Sequence, residues 1–163
     1  MRFSLATEFG WLSVRLSARG LQRLSWNSGP EQSCEAEDSS FGEAAEKQAL
    51  AREVQRQISE FFSGSRRSFD LALDMEGTDF QMRVWRKAQS IPFGERVSYS
   101  DLAESLGCPG ALRALGTALG KNPLLLVIPC HRVIAKSGKL GGYAGGGSLK
   151  EQLLLWESGR AKP

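Results

Sequence analysis

This 163-residue chain contains one histidine, His131, and three cysteines, Cys34, Cys108 and Cys130. A zinc site of the Cys/His kind needs three or four ligands at set spacings, and no such set exists here, so neither a metal nor a cofactor is expected. Three scattered cysteines cannot make a disulfide framework. That fits a reducing compartment, the cytoplasm, or the nucleus if the source is eukaryotic. No run of eighteen apolar residues occurs, so no membrane-spanning helix is expected. The opening MRFSLATEFG lacks the long apolar core of a signal peptide. Internal repeats and low-complexity tracts are missing too. What is present is 41% hydrophobic residues, enough for a core without staples and too many for a collagen-like or mainly disordered chain.

The net charge of +3 is unevenly spread. Residues 1–74 carry 9 Lys/Arg against 11 Asp/Glu, and residues 75–163 carry 12 against 7. An acidic front and a basic back suggest two units, the second facing a polyanion; ordinary surface chemistry is the plainer reading of the same counts.

The front unit opens with β-like runs. Residues 11–17 alternate, with Leu12, Val14 and Leu16 on one face, and Gly20 punctuates before Leu21, Leu24 and Trp26. Residues 27–43, NSGPEQSCEAEDSSFGE, read as an exposed loop holding Cys34. Ala51, Val54, Ile58 and Phe61 then recur at helical spacing, predicting a helix over 44–63 that stops at Gly64. Residues 69–73 alternate again as a strand. Strands with one helix make a small α/β or α+β unit, and a boundary is expected at 74–77. Beyond it, Thr78 and Gln81 form a capping box for a helix whose apolar stripe is Phe80, Val84, Trp85 and Ala88.

Residues 98–123 read as helix, turn, helix. Ser98 or Ser100 caps the first helix, Leu102, Ala103 and Leu106 face inward, and Gly107 closes it. Cys108, Pro109 and Gly110 turn the chain into a second helix over 111–119, with Gly120 at its end. Ala111, Ala114, Gly116, Thr117 and Ala118 leave that helix narrow, and Arg113 is its one charge. Such a surface suits entry into a tight groove with one guanidinium, or close helix–helix packing.

Residues 124–128, LLLVI, have the composition of a buried strand and run into Pro129, Cys130, His131 and Arg132. In a regular strand Cys130 and His131 would point to opposite faces, so cooperation requires a turn at Pro129, with His131 acting through a water. A nucleophilic cysteine needs thiolate character, which an imidazole, a helix N-terminus or Arg132 can supply. A structural cysteine beside a surface histidine is the alternative. Residues 138–147 hold six glycines around Tyr143, a backbone free to approach a ligand, without the signature of a phosphate or dinucleotide loop. Ser148 and Glu151 suggest a capping box on a final helix. Glu157 falls near that helix's end, where a carboxylate is unfavourable for the dipole; that suggests another use, such as orienting an imidazole, while a solvated carboxylate is the default reading.

The run from Asn122-Pro123 through Ile128-Pro129-Cys130-His131-Arg132-Val133-Ile134 to the Gly-Tyr loop, Lys150-Glu151 and Glu157 resembles the O6-alkylguanine-DNA alkyltransferases. The likeness extends over residues 78–159. It implies a two-domain α/β (α+β) protein: a ribonuclease-H-like domain over 1–74 and a winged helix-turn-helix domain over 75–163. It also implies single-use, irreversible transfer of an alkyl group from guanine O6 (with O4 of thymine as a further target) to Cys130 after base flipping. By position, His131 would be the base, Glu157 would orient it, Asn122 would brace the turn, and Tyr99 would donate to the leaving guanine. The carbonyls of Cys130 and Val133 would read the exocyclic amine. Tyr143, Ala144, Gly145 and Leu125 would line the pocket, with Ala144 standing where a serine is frequent. Arg113 would fill the space left by the flipped base, and Ser100, Ala114, Gly116 and Thr117 would meet the minor groove. The implied partner is double-stranded DNA, bound by a monomer able to cluster on it, with no membrane partner. Two other classes fit the residues less well: a lesion-binding relative without chemistry, which typically lacks the cysteine, and a Cys-His hydrolase, whose partners are generally far apart in sequence.

Overall fold

Alternating side chains over the first 27 residues fold into a three-stranded antiparallel sheet of order β1-β2-β3, with β1 Arg2–Thr7, β2 Gly10–Leu16 and β3 Leu21–Asn27. In this computed structural model, which describes residues 1–30 and 41–160, the chain divides into two compact units, Met1–Met75 and Glu76–Pro163. Leu12, Val14, Leu16, Leu21 and Leu24 are buried with Ala51, Val54, Ile58 and Phe61 of helix α1, Phe41–Ser63. Helix α1 starts three residues earlier than its apolar spacing predicts, inside the expected loop. Residues 31–40, Cys34 among them, lie outside the described residues.

The expected strand over 69–73 is reduced to one parallel bridge, Leu21 to Leu73. Its backbone is satisfied in another way: the buried Gln57 amide accepts from Asp70 N at 2.8 Å and donates to Asp70 O at 2.7 Å, so no neighbouring strand is needed there. Gly20 makes the approach of this segment possible. At its φ of +153°, a Cβ would lie 2.3 Å from the Ala72 carbonyl oxygen.

In the second unit, helix α2 (Asp79–Gln89) starts with the capping box the sequence predicts, Gln81 N donating to Thr78 Oγ1 at 3.3 Å and Thr78 N to Gln81 Oε1 at 2.9 Å. Val84, Trp85 and Ala88 are buried and Phe80 is half-buried. The parallel pair β4 (Val97–Ser98) and β5 (Val133–Ile134) frames α3, Tyr99–Ser105, which Ser98 caps through Asp101 N at 3.1 Å. Helix α4 spans Leu112–Gly120, and Trp85 Nε1 ties α2 to it by donating to Ala118 O at 2.8 Å. Helix α5 spans Gly147–Arg160, so Ser148 lies inside it and is not its cap. The first turn closes onto Gly146 O, which accepts from Lys150 N at 3.1 Å, while the Ser148 hydroxyl accepts from Gln152 Nε2 at 3.1 Å.

Candidate active site

Residues 124–128 are buried, but they form a turn and not the expected strand. Ile128 N donates to Leu124 O at 2.8 Å, and Leu126 sits at φ +73°. One side chain replaces the missing ladder. Asn122 Oδ1 accepts from Leu124 N at 2.8 Å, and its Nδ2 donates to Ile128 O at 2.8 Å and to Cys130 Sγ at 3.1 Å. Apolar composition cannot separate a buried strand from a buried turn whose polar groups are met by a single amide.

Past Pro129 the chain tightens into a 3-10 turn, Cys130–Arg132, which removes the strand-like opposition of Cys130 and His131. Burial pushes the Cys130 thiol up to about 11, against the pull of the Asn122 N–H and the Lys150 charge, so it is protonated at neutral pH. His131 is fully buried. Its Nε2 stands 2.8 Å from Glu157 Oε1, and its buried Nδ1 has no hydrogen-bond partner among the described residues. Burial lowers the imidazole below its ordinary range and outweighs Glu157, with Arg132 and Lys150 acting in the same direction as burial. A neutral ring that donates from Nε2 to a carboxylate keeps its Nδ1 lone pair free to take a proton.

Arg132 does not serve the thiol, contrary to the sequence reading. Its Nε and Nη2 donate to Glu157 at 2.9 Å each, its Nη1 donates to Ile91 O at 2.6 Å, and its guanidinium lies 5.6 Å from the Phe93 ring centre. Burial alone would raise Glu157, but the His131 and Arg132 bonds prevail and hold its carboxyl at about 2. Gly94 N also donates to Glu157, at 3.1 Å.

Sequence reasoning missed Lys150. It is fully buried, and its Nζ donates to Val133 O at 2.7 Å, to Leu140 O, and to Gly142 O at 3.4 Å, while standing 5.8 Å from the Tyr99 ring centre. Burial brings its ammonium down to about 8. The Val133 carbonyl, expected to read a substrate amine, is therefore engaged by Lys150. A signal for Lys150 did exist: the buried residues of α5 are Lys150, Leu153, Leu154 and Glu157, one helical stripe with a charge at each end.

Cys130 opens into a cavity of about 660 Å³ lined by Tyr99 of α3, by Leu112, Gly116, Leu119 and Gly120 of α4, and by Gly141, Gly142, Tyr143 and Ala144. Gly145 and Leu125, both expected in the lining, are outside it; Leu125 is packed into the Asn122 turn. Gly141 has φ +68°, and a Cβ there would stand 3.1 Å from the Tyr99 hydroxyl, so the glycine lets the loop close over the phenol. Burial, then the nearby Cys130, raises the Tyr99 phenol, which stays a hydrogen-bond donor. On α4, Arg113, Ala114 and Thr117 are exposed, opposite the buried Leu115, Ala118 and Leu119. Ser100 is half-buried and shares a hydrogen bond with the Ser98 hydroxyl at 2.7 Å. Among the described residues, no cluster of three His, Cys, Asp or Glu is placed to hold a metal.

Residues 79–159 match the family model of the 6-O-methylguanine DNA methyltransferase DNA-binding domain. The methylated-DNA–protein-cysteine methyltransferase of Mycolicibacterium paratuberculosis is 49% identical over 121 residues, 74% of this chain and 73% of the relative. That of Methanosarcina barkeri is 50% identical over 112 residues, 69% of this chain and 71% of the relative. The crystal structure of Mycobacterium tuberculosis OGT in complex with DNA superposes with a TM-score of 0.81 at 37% identity, covering 96% of this chain and 92% of that one. A buried cysteine at the floor of an open cavity, seen beside this degree of likeness, places the chain in the O6-alkylguanine-DNA alkyltransferase family, the methylated-DNA–protein-cysteine methyltransferases, which repair DNA by moving an alkyl group from guanine O6 to a cysteine.

Proposed function

We propose that Cys130 is the alkyl acceptor and that its deprotonation is coupled to the transfer. The observation that carries this is the thiol itself: buried at the cavity floor, protonated, with an amide N–H on its sulfur and a neutral, carboxylate-braced imidazole as its sequence neighbour. The thiol proton passes to His131 Nδ1 through a water. The sulfur attacks the alkyl carbon, the S–C bond forms as the C–O6 bond breaks, and the departing guanine takes a proton from the Tyr99 hydroxyl. Asn122 positions the sulfur, and Glu157 holds the tautomer and steadies the imidazolium. The new thioether cannot leave, so each chain acts once.

Guanine O6 lies at the base edge, out of in-line reach for a thiol while the base is stacked, so the base must be flipped into the cavity. The exposed small residues of α4, with Arg113 as their one charge, suit the minor groove, and Arg113 would occupy the space the base leaves. The finer fold assignment belongs to this reading: ribonuclease-H-like for the β1–β2–β3–α1 unit, winged helix-turn-helix for the unit of α3 and α4. So do O4-alkylthymine as a further substrate, action as a monomer able to cluster on DNA, and residence in the cytoplasm or nucleus, where Cys130 stays reduced.

Incubation with a duplex carrying O6-methylguanine, followed by mass measurement, tests the assignment. The expected result is a gain of one CH2 located on Cys130 and absent from Cys130→Ser. Binding without a mass change would assign the chain to lesion recognition alone, and repeated ester turnover would assign it to hydrolysis.

A further inference from the structure

Opposite its buried face, the β1–β3 sheet carries three residues in register: Arg2 pairs with Arg15, and Arg15 with Arg23. All three are exposed, and none is in an ion pair among the described residues. The next row on the same face is Ser4, Ser13 and Ser25, and the one after it Ala6, Trp11 and Asn27. Like charges directly opposite on neighbouring strands weaken a sheet, and here two such pairs stand side by side in the half of the chain whose net charge is negative. The core does not require them, because Leu12, Val14, Leu16, Leu21 and Leu24 already fill the other face.

We propose that the Arg2–Arg15–Arg23 row is a second, sequence-independent contact to the phosphate backbone of DNA. Strands about 4.8 Å apart put the outer two arginines about 10 Å from each other, a span that meets two or three phosphates of one strand. Guanidinium is the side chain best shaped for phosphate oxygens. The inference rests on DNA as the substrate, and the experiment keeps the two apart.

Binding of the full chain to an undamaged duplex is followed against salt concentration. The triple variant Arg2→Gln/Arg15→Gln/Arg23→Gln should lower the slope of log K against log salt by about 2 to 3, at about 0.9 for each phosphate no longer neutralised. The triple lysine variant should keep most of the slope, and Arg15→Gln alone should remove about one unit. An unchanged slope in the glutamine variant overturns the proposal. So does a variant whose DNA binding is intact but whose self-association is abolished, which would give the row to a second copy of the chain. Alkylation of Cys130 by a free O6-alkylguanine base should proceed equally in all variants. If that reaction never occurs, the fault lies with the assignment of Cys130 and not with the arginine row.

Discussion

Cys130 shows at the scale of one residue why this site holds its reactivity in reserve. A thiol at about 11 is almost entirely protonated at neutral pH, so in the proposed mechanism His131 would act as base during the transfer and not before it. His131 is neutral because burial and two cations oppose Glu157, and of those cations Arg132 is the one bound to Glu157 itself. Arg132→Met should therefore remove one of the groups that oppose Glu157, leaving burial and Lys150, and raise the His131 titration. Since only the neutral ring accepts a proton, the acid limb of the transfer rate, which lies below the ordinary histidine value in the parent, should move to higher pH. Rates with a free O6-alkylguanine base between about pH 5 and 8 will read this shift, which the further change Glu157→Gln should reverse. An acid limb that does not move would leave Arg132 a purely structural role. Breaking the buried pair should also destabilise the fold by about 3–5 kcal/mol, measurable by denaturant unfolding. The same pair sets an acid limit. Because the Glu157 carboxyl is held down at about 2, its contribution to stability is complete above its ordinary value and fades as the pH falls from there towards about 2.

Among the elements, α4 and the loop over 138–147 have separable tasks. Helix α4 turns Gly116 and Gly120 to the cavity and Arg113 to solvent, so Arg113→Ala should slow repair of duplex DNA far more than reaction with a free base, which needs no extrusion. Equal losses on both substrates would remove Arg113 from base flipping. Gly141→Ala should slow both, because a Cβ 3.1 Å from the Tyr99 hydroxyl on a left-handed backbone must displace either the loop or the phenol. A shift of a few tenths of an ångström at the proposed proton donor is expected to cost about tenfold in rate, read by single-turnover kinetics on both substrates. The α2 capping box, the α3–α4 pair and the α1 stripe were legible because each is a local pattern: a cap three residues from its partner, or apolar residues at helical spacing. The turn over 124–128 was not, because its order comes from Asn122, whose amide meets groups up to eight residues away.

For the molecule as a whole, the cavity is assembled from four stretches distant in sequence: Tyr99, one face of α4, Cys130 and residues 141–144. At about 660 Å³ it far exceeds what a methyl group on guanine needs, and its room comes from Gly116, Gly120, Gly141 and Gly142 rather than from Gly145 and Leu125. A benzylguanine probe should therefore label Cys130, at one equivalent per chain, with half-buried Cys108 left unmodified. Labelling by methylated DNA without any by the benzyl probe would show the cavity to be closed to large adducts. The two halves of the chain also differ in charge, and the salt dependence of DNA binding should register both the basic second unit and the arginine row of the first.

By itself the sequence determined the chemistry on offer and the local elements. A sole histidine beside one cysteine, glycines around Tyr143, and caps at set spacings are all contained in short runs of residues, and short-range rules read them. Tertiary structure decided which groups work on which. It took Arg132 away from the thiol and gave it to Glu157, and it turned an apolar run into a buried loop held by one asparagine. It also buried Lys150 against three carbonyls and lined up three arginines from three strands. Each of these depends on contacts that no run of adjacent residues displays, where burial and hydrogen-bond satisfaction, not composition, fix the outcome.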